Sequence, residues 1–340
     1  MRIAIVNDMA MAVEGLKRII QLSSEHQVAW IAWTGEEAVQ CCAADLPDLI
    51  LMDLIMPDMN GVEATRQIMQ STPCPIIVVT ASVDGNSAMV FEALGEGAID
   101  AINTPLLVGD VSSEQQKALL HKIAMIGVLT RANSSSNSNT IGAKFSVQAN
   151  ARHEQIVVIG ASSGGPHALS ILLKDIPRNF SAPIVVVQHV DQQFVQGLAD
   201  WLDQQVPLSV VIAQQGDQPT PGKIFLAGSD KHLVMLETGK LGYQSEPADI
   251  PYKPSVDVFW HSLYRNWKGT LTAILLTGMG KDGAAGMLAL RQKGALTIAQ
   301  DEATSTVYGM PKAAIDLEAA VEIWPIEAIG AALLSRHNQA

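Results

Sequence analysis

The chain has 340 residues, 48% of them hydrophobic and only 16% charged, with a net charge of −12. That balance excludes a disordered chain and suits a well-packed protein of two domains. It also excludes a nucleic-acid surface, which needs a basic stripe, and no apolar run approaches the roughly 18 residues of a membrane span.

In chain order, short apolar runs predict strands at Ile3–Val6, Val28–Ala32, Leu49–Met52, Ile76–Thr80 and Ala98–Ile102. Helical spacing predicts Met11–Gln21, Glu36–Ala44, Val62–Ser71, Ala88–Leu94 and Glu114–Leu129. Five strands alternating with five helices describe a doubly wound domain with a parallel sheet over residues 1–130. Its opening run, closed by Asn7 and Asp8, is unlike a signal peptide. Adjacent Cys41 and Cys42, with Cys74, suit a buried helix face rather than a metal site, which fits a reducing cytoplasm. The polar run Arg131–Thr140 then opens a flexible linker over 131–152.

Asp8 follows the first predicted strand and Asp53 the third, so both sit at the carboxyl rim of that sheet. Two carboxylates there repel unless a hard cation lies between them, and Mg²⁺ takes one or two carboxylates plus phosphate oxygens. Taken singly, each reads more readily as a cap on the following helix. Thr80 closes the fourth strand at the same rim. Asp53-Leu-Ile-Met-Pro-Asp-Met-Asn-Gly61, with Asp8 and Thr80, resembles the receiver domain of two-component response regulators. The resemblance implies a flavodoxin-like fold, Asp53 as phospho-acceptor, and Mg²⁺ held by Asp8, Asp53 and the carbonyl of Ile55. It implies Thr80 as phosphate sensor and a CheA-type histidine kinase as phosphodonor. Three positions depart from the pattern: Asn7 stands for an acid, Thr104 for a lysine and Ala101 for an aromatic residue.

Beyond Arg152 the alternation restarts, and residues 153–338 read as a second, mainly parallel α/β domain. Lys223–Leu226, His232–Glu237 and Leu241–Ser245 predict an antiparallel hairpin insertion. Three buried-type strands end in chemistry: Ile156–Ile159 runs into Gly160-Ala-Ser162-Ser-Gly164, Pro183–Gln188 into His189, and Leu271–Leu276 into Thr277-Gly-Met-Gly-Lys-Asp282. Ligand crevices in open α/β sheets lie at such strand ends. A serine hydroxyl becomes a nucleophile when an imidazole takes its proton, and a carboxylate orients that imidazole. Ser162, His189 and Asp282 suit those roles, with the amides beside Ser163 and that of Met279 as oxyanion donors. His167 and His261 read as packing or surface residues. A glycine-rich turn also binds dinucleotides, although the next strand tip then carries an acid rather than His189. For an isolated Asp at position 282, capping the helix after it is the commoner reading.

The motifs Ile159-Gly-Ala-Ser-Ser-Gly-Gly-Pro166, Val187-Gln-His189 and Leu276–Gly286, with Asp301 and Ser305–Pro311, resemble the catalytic domain of CheB-type chemotaxis methylesterases. That resemblance implies Ser162 as nucleophile, His189 as general base and acid, and Asp282 as its orienting carboxylate. It implies hydrolysis of glutamate γ-methyl esters on a methyl-accepting chemoreceptor-like protein, with release of methanol, deamidation of receptor glutamines and no cofactor for ester hydrolysis. Motif order and Asn103-Thr-Pro105 also resemble the methylesterase of Wsp-type surface-sensing systems. A non-catalytic adaptor that docks receptors or a kinase through its receiver is the alternative.

Overall fold

The computed structural model describes residues 1–80, 87–105, 111–132, 154–250 and 252–337. It divides into two compact units, Met1–Asn137 and Ser138–Ala340. In the first, β1 (Arg2–Val6), β2 (Gln27–Ala32), β3 (Leu49–Met52), β4 (Ile76–Thr80) and β5 (Asp100–Asn103) form one sheet. They alternate with α1 (Ala10–Gln21), α2 (Gly35–Ala44), α3 (Gly61–Ser71), α4 (Ser87–Gly95) and α5 (Val111–Ala132). The strand order is β2-β1-β3-β4-β5, and every pair is parallel. Residues Ile3–Val6, Leu49–Met52 and Ile76–Thr80 are buried throughout, the mark of strands covered on both faces. Thr34 and Asn60 cap α2 and α3 by accepting from the amides of Glu37 and Glu63. Helix α5 continues through Ala132, two residues into the predicted linker; residues 133–152 lie outside those described.

The second unit contains β6 (Gln155–Ala161), α6 (Gly165–Leu173), β7 (Ile184–Gln188), α7 (Val195–Gln205), β8 (Ser209–Ile212), β9 (Lys223–Leu226), β10 (His232–Met235) and β11 (Leu241–Gln244). It continues with α8 (Val256–Asn266), β12 (Thr270–Leu275), α9 (Ala284–Gln292), β13 (Leu296–Gln300), α10 (Met310–Asp316), β14 (Glu322–Trp324) and α11 (Ile326–His337). Seven strands lie in the order β14-β13-β12-β6-β7-β9-β8, all parallel. The order in which strands are added reverses between β6 and β12, the switch point at which such sheets open a crevice.

Two expectations about the insertion are corrected. Lys223–Leu226 pairs in parallel with β7 and β8 and so belongs to the main sheet. The hairpin is β10–β11 alone, a separate two-stranded antiparallel sheet. It packs Leu233, Met235 and Leu241 into the core beside Phe259 and Leu263 of α8. Ser262 Oγ accepts from the Met235 amide, and Asn266 Nδ2 donates to the Met235 carbonyl. Among the described residues, no helix is long and apolar enough to cross a membrane.

Helix α8 is held at both ends. Ser255 caps its start, accepting from Val258 N. At its end, Lys293 Nζ donates to the carbonyls of Leu263, Tyr264 and Trp267, the first of which also accepts from the C-cap amide of Trp267. Lys293→Ala should therefore lower the stability of this domain by about 1 kcal/mol in denaturant unfolding, since charged donors to helix-end carbonyls contribute on that order.

Candidate active site

Ser162 and His189 each lie one residue past the paired Ala161 and Gln188 of β6 and β7. Neighbouring strands run about 4.8 Å apart, so the two residues leave the sheet side by side. The backbone enforces it: His189 N donates to the Ala161 carbonyl at 3.0 Å, and Ser162 N to the Thr277 carbonyl at 3.1 Å. Ser162 thus emerges between the tips of β7 and β12, at the switch point. Gln188 ties the two turns together, its Nε2 donating to the carbonyls of Ser162 at 2.8 Å and His189 at 3.0 Å.

The serine turn is sharp because Gly164 has φ +76, a left-handed conformation that favours glycine, and it opens α6. Gly278 is needed for a different reason. A Cβ there would stand 2.8 Å from Ser162 Cβ, so only glycine lets the two turns meet. Thr277 Oγ1 donates to the Ser163 carbonyl at 3.0 Å and accepts from Val307 N at 2.9 Å. Gly309 and Met310 amides donate to the Gly278 carbonyl, folding the Asp301–Met310 loop around the same point. Among the described residues the Met279 amide takes no part in these bonds.

Asp282 closes the arrangement. Its Oδ2 lies 2.7 Å from His189 Nε2, with the two side chains only 7% and 9% exposed. It does not cap α9, whose start is Gly283 with no side-chain cap. Instead it sits on the start of α8: Oδ1 accepts from Ser255 Oγ at 2.8 Å and Asp257 N at 3.0 Å, and Oδ2 from Val256 N at 2.7 Å. Burial alone would push its carboxyl up. The bond and charge attraction to His189, with the Asp257 and Ser255 donors, outweigh that and hold it below the usual value. His189 Nδ1 is buried and, among the described residues, has no hydrogen-bond partner. With Nε2–H donating to Asp282, the lone pair of this imidazole resides on Nδ1. His261 Nδ1 bonds the Asp257 carbonyl within α8, and His167 lies in the first turn of α6. Gln188, Thr277 and Ser255 were not singled out from sequence. Gln188 alone had a signal, its place beside His189 at a strand tip.

In the first unit, Asp8 and Asp53 follow β1 and β3, the strands flanking that sheet's own switch point. Neither caps a helix: α1 starts at Met9 without a side-chain cap, and Asn60 serves α3. Asp53 is 8% exposed and accepts from Asn7 Nδ2 at 3.0 Å and Leu54 N at 2.7 Å. Burial pushes its carboxyl up to about 6; Leu54 and Ile55 amides pull it down, and nearby Asp8 adds to the rise. Thr80 is buried at the tip of β4, and Thr104 N donates to its carbonyl. Of the cysteines, Cys42 and Cys74 are buried with sulfurs 3.9 Å apart, while Cys41 is half-buried.

A parallel sheet with paired aspartates at its switch point, joined to one with a serine, an imidazole and a carboxylate at its own, defines a receiver-linked hydrolase. The response regulator receiver domain family matches residues 3–112, and the CheB methylesterase family matches residues 157–333. A protein-glutamate methylesterase/protein-glutamine glutaminase of Pseudomonas putida is 50% identical over 333 residues, 98% of each chain. One of Mesorhizobium japonicum is 51% identical over 336 residues, again 98% of each. The crystal structure of the Thermotoga maritima CheB methylesterase catalytic domain shares 36% identity, with a TM-score of 0.52. It covers 54% of this chain and 98% of that one. The chain belongs to the CheB methylesterase family.

Asp257, half-buried at the start of α8, mirrors Asp282: its Oδ1 accepts from Gly286 N of α9 at 2.6 Å. Burial pushes its carboxyl up from 3.8 to about 6, against the Gly286 bond and helped by the Asp282 charge. A carboxyl that holds its proton more tightly when folded adds stability at low pH, fully below its unfolded value and lost as pH rises through about 6. Asp257→Asn should therefore be more stable than wild type near pH ~7.5, by about 2 kcal/mol, with the gap closing towards pH ~4.5. Denaturant unfolding at the two pH values reads the difference.

Proposed function

We propose that this chain is a receiver-controlled protein-glutamate methylesterase whose serine, imidazole and carboxylate are Ser162, His189 and Asp282. The observation that carries the reading is the pairing of an Asp282-bound Nε2 with a buried, unpartnered Nδ1, beside Ser162 on the next strand. Ser162 Oγ attacks the Cδ carbonyl of a methylated glutamate while its proton passes to His189 Nδ1. The carbonyl oxygen becomes an oxyanion, for which the Met279 amide and those of the Ser163 turn are the candidate donors. As the intermediate collapses, the C–O bond to methanol breaks and His189 returns the proton to the leaving oxygen. Water repeats the sequence on the acyl-enzyme, releasing glutamate and restoring Ser162. Asp282 stays ionised throughout and stabilises the imidazolium, consistent with its lowered proton affinity.

The substrate in this reading is a methyl-accepting chemoreceptor-like protein, and the same chemistry on a side-chain amide gives glutamine deamidation. The curated relatives carry both activities in their names. A CheA-type histidine kinase supplies phosphate to Asp53, with Thr80 at the same rim as sensor. Asp8, Asp53 and the Ile55 carbonyl would hold Mg²⁺, which supplies charge neutralisation of the entering phosphate; two mutually repelling carboxylates suit it. Ester hydrolysis itself uses no cofactor. The Thr104 and Ala101 departures support a muted phosphorylation response, and motif order with Asn103-Thr-Pro105 supports the Wsp-type surface-sensing branch. The acidic charge balance supports a protein that binds no nucleic acid, and its free cysteines support a cytoplasmic one.

Ser162→Ala should lower methanol release from radiolabelled methylated receptor by at least about a thousandfold, and Asp282→Asn by about ten-thousandfold, with substrate binding retained. Near-normal release by Ser162→Ala would refute the assignment. Addition of a small phosphodonor with Mg²⁺ should raise wild-type release only a few-fold, and not at all in Asp53→Asn.

A further inference from the structure

The Asp282 bond fixes one nitrogen of His189 but not the plane of the ring, which could still roll about that contact. A second group fixes the plane. Tyr252 lies flat on the imidazole, ring centroids 4.7 Å apart and planes within 6°. The phenol reaches on towards the loop that carries Asp282: a Cβ built on Gly280 would lie 3.5 Å from the Tyr252 hydroxyl.

The segment leading from Tyr252 into α8 is itself anchored. Ser255 N donates to His232 Nδ1 at 3.2 Å, and Ser255 Oγ donates to Asp282. His232 is fully buried on β10, and its Nε2 faces the Pro247 carbonyl at 3.0 Å. Because Nδ1 accepts, Nε2 carries the proton and donates, so one neutral imidazole holds the chain on both sides of Tyr252. The hairpin that interrupts the parallel pattern thereby sets where the tyrosine ring rests.

We infer that Tyr252 is a positioning residue for His189, resting on the assignment of His189 as the proton carrier. Its aromatic face keeps the imidazole in the plane that bonds Asp282 and presents Nδ1 to Ser162. Once the imidazole is protonated, the same face attracts the positive ring. Tyr252 acts on substrate only through the imidazole, so its loss should slow the chemical step without weakening receptor binding.

The full-length chain with Tyr252→Phe, Tyr252→Leu and Tyr252→Gln tests this, using methanol release from methylated receptor for kcat and KM. The Phe variant should keep kcat within about twofold, while Leu and Gln should lower it about tenfold with KM unchanged. Gln keeps a polar side chain, so the comparison survives if Leu disturbs folding. In parallel, the carbon-bound ring protons of His189, observed by NMR with labelled histidine, should be shifted upfield in wild type and Phe. Those shifts should vanish in Leu and Gln. Wild-type turnover by Leu or Gln, or an equal loss in Phe, overturns the inference, as does the absence of ring-current shifts in wild type. Failure of the wild-type chain to release methanol would strike the hydrolase assignment instead, and the ring shifts would still decide the contact.

Discussion

One carboxylate joins the parts of the second domain that matter. Asp282 receives the His189 ring from the tip of β7, two amides and a hydroxyl from the start of α8, and is carried on the loop after β12. A buried charge is tolerable only when hydrogen-bonded and paired, and here every donor is also a structural element. The positive end of α8, with the imidazole, keeps the group ionised despite its burial. Remove those donors and the carboxyl would take up a proton and cease to orient the imidazole. The core packing of α8 against the hairpin and α9 is therefore part of the electrostatics of the site.

Asp257 shows the opposite solution a few ångströms away. The two carboxylates exchange helices: Asp282 beside α9 serves α8, and Asp257 on α8 serves α9. They repel each other, and the repulsion is resolved unequally. Asp282 has the imidazole and is held low, while Asp257 has amides but no cation bonded to its carboxylate and is pushed up to about 6. Like charges forced together divide in this way, and the member facing the imidazole keeps the charge. Both sheets follow a common rule, since the aspartates of the first unit and the serine and aspartate of the second flank switch points.

Much of this was legible in the residues because parallel strands buried on both faces read as unbroken apolar runs, and the chemistry sits at their ends. Ile156–Ile159, Pro183–Gln188 and Leu271–Leu276 announced both the sheet and the serine, imidazole and carboxylate at its rim. Strand direction was not legible: Lys223–Leu226 has the same short apolar pattern whether it pairs in parallel or antiparallel. β8 escaped because Ser209–Ile212 is only four residues and half-exposed, too little to stand out as a period. The helix served by Asp282 was misassigned for a related reason. Proximity in sequence favoured α9, whereas the fold brings α8 to it from some 25 residues earlier. Tyr252 left no trace in any pattern, since a stacking contact has no spacing rule.

The order of the three groups along the chain follows from the sheet. Ser162 leaves β6 at the centre, His189 leaves β7 on one side, and Asp282 leaves the loop after β12 on the other. A serine at the central tip is flanked by whatever the two neighbouring tips carry, so base and carboxylate can arrive in either order if loops bring them into register. Here the carboxylate must cross over the serine turn to reach the imidazole. The close approach at Gly278 and the start of α8 make that crossing possible. What defines the site is therefore sheet order together with one glycine and one helix end, and the serine, histidine, aspartate sequence follows from which neighbouring tip carries each group.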